Sequence, residues 1–203
     1  MKHTFSGAYG IVLRLDPQTT DVAKSLARKF TGNDISLADT PSHITLYHTN
    51  FINVPLGVVE QTLTHIADKA SGVSLVFNEI APYENIFFFW NIRASCAGRA
   101  SLQEMHEEAL QLKKYFNSGG VQQTDREGLK LSGASEYCVR TTGYQFCHEL
   151  FTPHITLAVC RQGDTLVDLT SFLHNATISS VDFVKVGEWG TIKEIILSLK
   201  VPG

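Results

Sequence analysis

The tetrapeptide His-Ile-Thr-Leu occurs twice, at His43 to Leu46 and at His154 to Leu157, 111 positions apart (154 − 43). Both copies fall in stretches that read as strands, Ser42 to Thr49 and Pro153 to Cys160. Alternation along a strand turns His and Thr to one face and Ile and Leu to the other. Phosphodiester cleavage asks for such a set. One imidazole takes a proton from the attacking hydroxyl or water, and a second, on the opposite side of phosphorus, gives a proton to the departing oxygen. The hydroxyls of Thr45 and Thr156 can donate to the non-bridging oxygens, where negative charge grows. Nothing in this arrangement calls for a metal or another cofactor. A single His-x-Thr in a strand means little, because Thr favours strands and a lone His is usually a hydrogen-bonded structural residue. Two identical copies in corresponding strands make His43 and His154 the candidate catalytic pair and Thr45 and Thr156 the candidate phosphate-binding pair. Tyr47 falls on the same strand face by alternation, so it is a candidate for stacking on a base or sugar. The plainer reading is a tyrosine packing at the strand end.

The elements that must position these residues follow from pattern. Gly10 to Leu15 reads as a strand, Thr20 to Phe30 as a helix capped near Thr19 or Thr20, and Pro55 to Lys69 as a second helix. Val73 to Ile80 and Ile86 to Arg93 read as strands, the latter apolar on both faces through Phe87, Phe88, Phe89 and Trp90, as in a central covered strand. A third helix is expected over Ser101 to Phe116. Asn117 to Leu150 is rich in Gly, Ser and Thr and is expected to be a long connection with little regular structure, mobile or folded over the cleft as a lid. Thr165 to His174 reads as a helix, and Thr177 to Val186 and Thr191 to Leu199 as closing strands. Helix, strand, helix, strand, strand thus occurs twice, which suggests a worn duplication. The expectation is a single α+β domain, 1–203, of two pseudo-symmetric lobes facing across a groove.

Composition narrows the partners. The 203 residues are 43% hydrophobic and 18% charged, as in an ordinary soluble domain. A net charge of −3 supplies no basic field for long duplex nucleic acid, though a nucleotide or short RNA end remains a fitting partner. Met1 to Tyr9 has no apolar run after Lys2, and Ile86 to Trp90 is too short to span a bilayer. The chain therefore reads as a soluble, cytoplasmic monomer without a membrane partner. Cys96, Cys138, Cys147 and Cys160 show no paired or zinc-type spacing and read as free thiols. Asn175-Ala176-Thr177 matches a glycosylation sequon without a secretory context. Arg14 could be drawn to a phosphate, but an ordinary solvated arginine is the better reading. His48, His65, His106, His148 and His174 read as surface or structural residues. P-loop, dinucleotide-binding and zincin motifs are absent from the sequence.

On the two His-x-Thr motifs, and on the flank Phe151-Thr152-Pro153-His154-Ile155-Thr156-Leu157-Ala158, the chain resembles the 2H phosphoesterase superfamily. That superfamily includes RNA 2′,5′-ligase-like proteins, cyclic nucleotide phosphodiesterases and 2′,5′-oligoadenylate phosphodiesterases. The resemblance implies a bilobal fold of two facing, antiparallel-rich sheets with helices outside and a central cleft. It also implies catalysis by His43 and His154, phosphate binding by Thr45 and Thr156, and no metal. The chain departs from the ligase-like pattern at Tyr47-His48-Thr49, where Phe-Leu-Gly is common, and at Val159-Cys160, which precede Arg161. The activity expected is a metal-independent phosphodiesterase acting on a 2′,3′-cyclic phosphate or a 2′,5′ linkage. A non-catalytic nucleotide- or RNA-binding module is the alternative, though pure binding would not need both proton-transfer groups. Cys160 as a nucleophile with His154 as base is disfavoured, since six strand residues place them about 20 Å apart.

Overall fold

The computed structural model describes residues 3–30, 40–84, 86–119, 131, 133–159 and 173–203. Seven strands are present among them: β1 (Thr4–Leu15), β2 (His43–Pro55), β3 (Ser74–Tyr83), β4 (Phe87–Ile92), β5 (His154–Val159), β6 (His174–Val186) and β7 (Ile192–Lys200). Four α-helices accompany them: α1 (Pro17–Ala27), α2 (Leu56–Ala70), α3 (Gly98–Leu110) and α4 (Gly133–Thr142). The strands lie in the order β1-β2-β5-β4-β3-β6-β7, and β6 also pairs with β1. Every pairing is antiparallel. The expected α+β, antiparallel architecture is therefore found, and the facing sheets meet at both edges, through β2–β5 and β3–β6.

Local chemistry explains the elements that matter for the cleft. The Asp16 carboxylate accepts from the Thr19 backbone N–H at 2.8 Å, capping α1 one turn earlier than the expected Thr19 or Thr20, with Pro17 in the first turn. Its other oxygen accepts from the Thr177 backbone N–H at 2.8 Å, which ties α1 to β6. Val59, Leu63 and Ile66 recur on the buried face of α2 and join the main core. As its two-sided apolar pattern requires, β4 is central, with Phe87, Phe88, Phe89, Trp90 and Ile92 all buried.

Two expectations need correction. Within the supposed irregular connection, residues 133–142 form α4, and a 3-10 turn follows at His148–Leu150. Cys138 and Cys147 are joined in a disulfide and are not free thiols, because α4 ends in a turn that brings their Cα atoms to 5.6 Å. Gly143 makes that turn at φ +74°, where a Cβ would lie 2.0 Å from Thr49 Oγ1. The expected helix from Thr165 falls on residues outside those described, as do Cys160 and Arg161, whereas His174 begins β6.

Candidate functional site

Strands β2 and β5 meet through one residue pair, Ile44 opposite Ile155. In an antiparallel ladder the neighbours of that pair are His43 beside Thr156 and Thr45 beside His154. The two histidines are then diagonal neighbours, with Cα atoms about 7–8 Å apart. Ile44, Leu46, Ile155 and Leu157 are buried, while His43, Thr45, His154 and Thr156 are half-buried and line a cleft of about 800 Å³, counted to its open mouth. The four residues singled out by the repeated motif thus come together on one surface.

Each motif ends in a β-bulge. Strand β1 pairs Val12 with Thr45 and then Ile11 with Tyr47, passing over Leu46. Strand β4 pairs Phe89 with Thr156 and then Phe88 with Ala158, passing over Leu157. An extra residue in a strand exchanges the faces of all that follows it. Tyr47 is consequently not at the cleft: it is fully buried, and its hydroxyl donates to the Thr142 carbonyl at 2.6 Å. Stacking on a substrate base by Tyr47 is therefore withdrawn. A Tyr47→Phe variant is expected to lose that bond, worth about 1 kcal/mol, and to melt about 2–4 °C lower with turnover little changed. Differential scanning calorimetry beside an activity assay checks this, and a large loss of turnover at unchanged melting would contradict it.

The same bulge turns His48 inward, against the reading that it is a surface or structural residue. It lines the cleft, and its ring lies 4.8 Å from that of Tyr144. Burial, with the charge of His43 adding, pushes its pKa down to about 4.

His43 and His154 are aimed by the same device. Nδ1 of His43 donates to the Pro41 carbonyl at 2.8 Å, and Nδ1 of His154 donates to the Thr152 carbonyl at 2.6 Å. A carbonyl only accepts, so each bond fixes the proton on Nδ1 of the neutral ring and leaves Nε2 for proton transfer. Their surroundings then diverge. His154 lies flat on Phe89, ring centroids 3.5 Å apart, with Phe146 edge-on at 5.7 Å. Burial pushes its pKa down to about 4, the Thr152 carbonyl opposes this, and the charge of His43 adds to it. Burial also lowers the His43 pKa, but the carbonyls of Pro41 and Gly190 and the Asp182 carboxylate all favour its protonated form. The hydroxyls of Thr45 and Thr156 have no hydrogen-bond partner among the described residues.

Further parts of the wall come from Thr40 to Ser42, Phe87 and Trp189 to Thr191, and from the segment after α4. Gly143, Tyr144, Gln145 and Phe146 line the cleft, and the Cys138–Cys147 disulfide and the Tyr47 bond to Thr142 hold the segment in place. The sequence pointed to the cleft only through the whole of Asn117 to Leu150, expected to be mobile or a lid, and no pattern singled out these four residues.

Arg14 lies outside the cleft lining and stays partly exposed to solvent, 35% at its side chain. It is ion-paired through Nε to the fully buried Asp182, whose other oxygen accepts from Ser198 Oγ at 2.6 Å. A buried carboxylate requires such a partner. His106 is fully buried and structural, bonded through Nδ1 to the Leu46 carbonyl at 2.6 Å. His65 and His148 pair with Glu108 and Glu107, and His174 Nε2 meets Thr19 Oγ1 at 2.9 Å. Among the described residues no three His, Cys, Asp or Glu side chains are grouped to hold a metal ion.

No family model matches the chain, and no curated protein matches it by sequence. Solved structures do match over nearly its whole length. TT0787 of Thermus thermophilus is 16% identical, with a TM-score of 0.61 over 97% of this chain and 98% of that one. LigT of E. coli, complexed with NADP+, is 13% identical, with a TM-score of 0.56 over 98% of this chain and 99% of that one. A phosphoesterase is 12% identical, with a TM-score of 0.54 over 98% of this chain and 100% of that one. The chain has the fold of these LigT and phosphoesterase structures, the fold that its two-motif resemblance implied.

Proposed function

We propose that this chain, with a fold shared by LigT and phosphoesterase structures, is a metal-independent phosphodiesterase acting on a 2′,3′-cyclic phosphate or a 2′,5′ linkage of a nucleotide or RNA end. The observation that supports this reading is the pairing of Ile44 with Ile155, beside which two imidazoles and two threonine side chains line one cleft. LigT of E. coli, a structural neighbour, has been crystallised with ATP and with 3′-AMP, which fits a nucleotide-sized ligand.

In the mechanism we favour, His154 is the base and His43 the acid. His154, stacked on Phe89 and held neutral by burial, takes the proton of the attacking water or hydroxyl at Nε2. His43 is the better holder of a proton, since the Gly190 carbonyl and the Asp182 carboxylate favour its charged form. It gives that proton to the oxygen leaving phosphorus. Thr45 and Thr156 donate to the non-bridging oxygens as their charge builds. When a cyclic phosphate is opened by water, one P–O bond forms and one breaks. The proton gained by His154 and the proton lost by His43 balance, and solvent exchange resets the pair.

A panel of 2′,3′-cyclic nucleotides and 2′,5′-oligoadenylate, incubated with the protein in EDTA, tests the reading. Turnover of at least one class, undiminished by the chelator, is expected. Tight binding without turnover would favour the alternative of a nucleotide-binding module. Turnover abolished by EDTA and restored by a divalent metal would overturn the mechanism.

No helix among the described residues is long and apolar enough to cross a membrane. The Cys138–Cys147 disulfide bears on the expected cytoplasmic setting, because such bonds are rare in reducing compartments.

A further inference from the structure

Gln145 is 8% exposed, and its Oε1 is shielded from solvent with no hydrogen-bond partner among the described residues. A buried amide oxygen in that state forfeits the full desolvation cost of the group, and native interiors rarely tolerate it without a reason. The residue nevertheless stands at the wall of an open cleft. Its neighbours on either side bracket the cleft histidines: the Tyr144 ring lies 4.8 Å from His48, and the Phe146 ring 5.7 Å from His154. Gln145 is therefore one residue from each of the two rings that touch the cleft histidines, on a segment closed by the Cys138–Cys147 disulfide. Rotation about the terminal torsion of a glutamine side chain is soft, so the oxygen can turn to a donor held in the cleft.

We infer that Gln145 is a nucleobase-recognising residue whose Oε1 accepts an N–H from the edge of the substrate base. The inference rests on the phosphodiesterase reading above and assigns one side chain to the base of its nucleotide or RNA-end substrate. The aromatic neighbours supply a sequence-tolerant apolar surface for a base, and the amide supplies the polar contact that orients it. Adenine, cytosine, guanine and uracil all present an N–H on the edge away from the sugar, so the contact registers that a base is present rather than which one. A phosphodiester without a base leaves Oε1 unsatisfied.

Purine riboside 3′-monophosphate isolates the contact, because it keeps the purine ring and the phosphate of 3′-AMP but has no edge N–H. Calorimetric titration of the intact, disulfide-bonded protein is expected to show 3′-AMP binding about 5- to 100-fold more tightly than purine riboside 3′-monophosphate, the range an unsatisfied buried acceptor implies. In Gln145→Leu the gap between the two ligands is expected to close. The same variant should melt no lower than the parent, since an apolar side chain of similar size removes the orphaned oxygen. Equal affinities in the parent protein, or a gap that persists in Gln145→Leu, would overturn the assignment and leave the phosphodiesterase reading standing. Failure of both nucleotides to bind, at concentrations where a phosphodiester substrate is turned over, would overturn the assignment as well. Absence of both binding and turnover would remove the phosphodiesterase reading itself.

Discussion

Replacing His43 or His154 by alanine is expected to lower kcat by about 10²- to 10⁴-fold in each case, the usual contribution of a positioned proton-transfer group. In the proposed mechanism the two act in one transition state, so the double variant should be little worse than either single one. The pH dependence gives an independent reading. Activity needs one neutral and one protonated imidazole, so kcat/KM should follow a bell whose limbs belong to the coupled pair. Burial lowers both pKa values below the ordinary 6.5, that of His154 to about 4. The bell for the free protein should therefore sit on the acid side of 6.5, falling as pH rises and the last shared proton leaves. A bound phosphodiester anion favours the imidazolium, so the profile of kcat should be displaced to higher pH than that of kcat/KM. Additive losses in the double variant, or a profile flat across this range, would contradict paired acid–base catalysis.

The second large effect is expected at the threonines. Each lies beside the histidine of the other motif, so under the proposed mechanism Thr45→Val or Thr156→Val removes a donor to a non-bridging oxygen without disturbing either imidazole. Loss of one such donor costs about 10²-fold in kcat, toward the low end of what oxyanion contacts supply. Thr→Ser at the same position should restore most of the rate, and the pH profile should keep its shape throughout. The changes should fall on kcat more than on KM, because the charge being met develops only in the transition state. A loss confined to KM would mean that the hydroxyls hold the ground state alone.

The positions of these four residues were legible from the sequence because a strand repeats every second residue and the motif repeats as a whole. The errors begin where that period fails. A bulge leaves no mark in the sequence His-Ile-Thr-Leu-Tyr-His, yet passing over Leu46 sent Tyr47 into the core and His48 to the cleft. Gln145 belongs to a segment whose place depends on a helix, a glycine turn and a disulfide acting together. A Cys pair nine positions apart matches no spacing rule that would have announced it. Asp182 did leave a trace, as the lone charge in Val181-Asp182-Phe183-Val184. Its partner Arg14 sits 168 positions away, and only the β1–β6 pairing joins the two.

Ile44 and Ile155 stand where a two-fold axis would pass. In an isologous dimer, residue i of one subunit meets j of the other while j meets i. The two motifs of this chain meet in the same reciprocal way, His43 beside Thr156 and Thr45 beside His154. Separate identical subunits would be bound to matching half-sites, and a ligand with unlike ends would enter such a site either way round. Two motifs carried on one chain are free of that constraint. His48 faces inward in the first half, while its counterpart 111 positions on is the buried Val159. His154 rests on Phe89, while His43 faces the Gly190 carbonyl. These departures from symmetry give the cleft a direction, so that a ligand with unlike ends has one preferred way to lie in it.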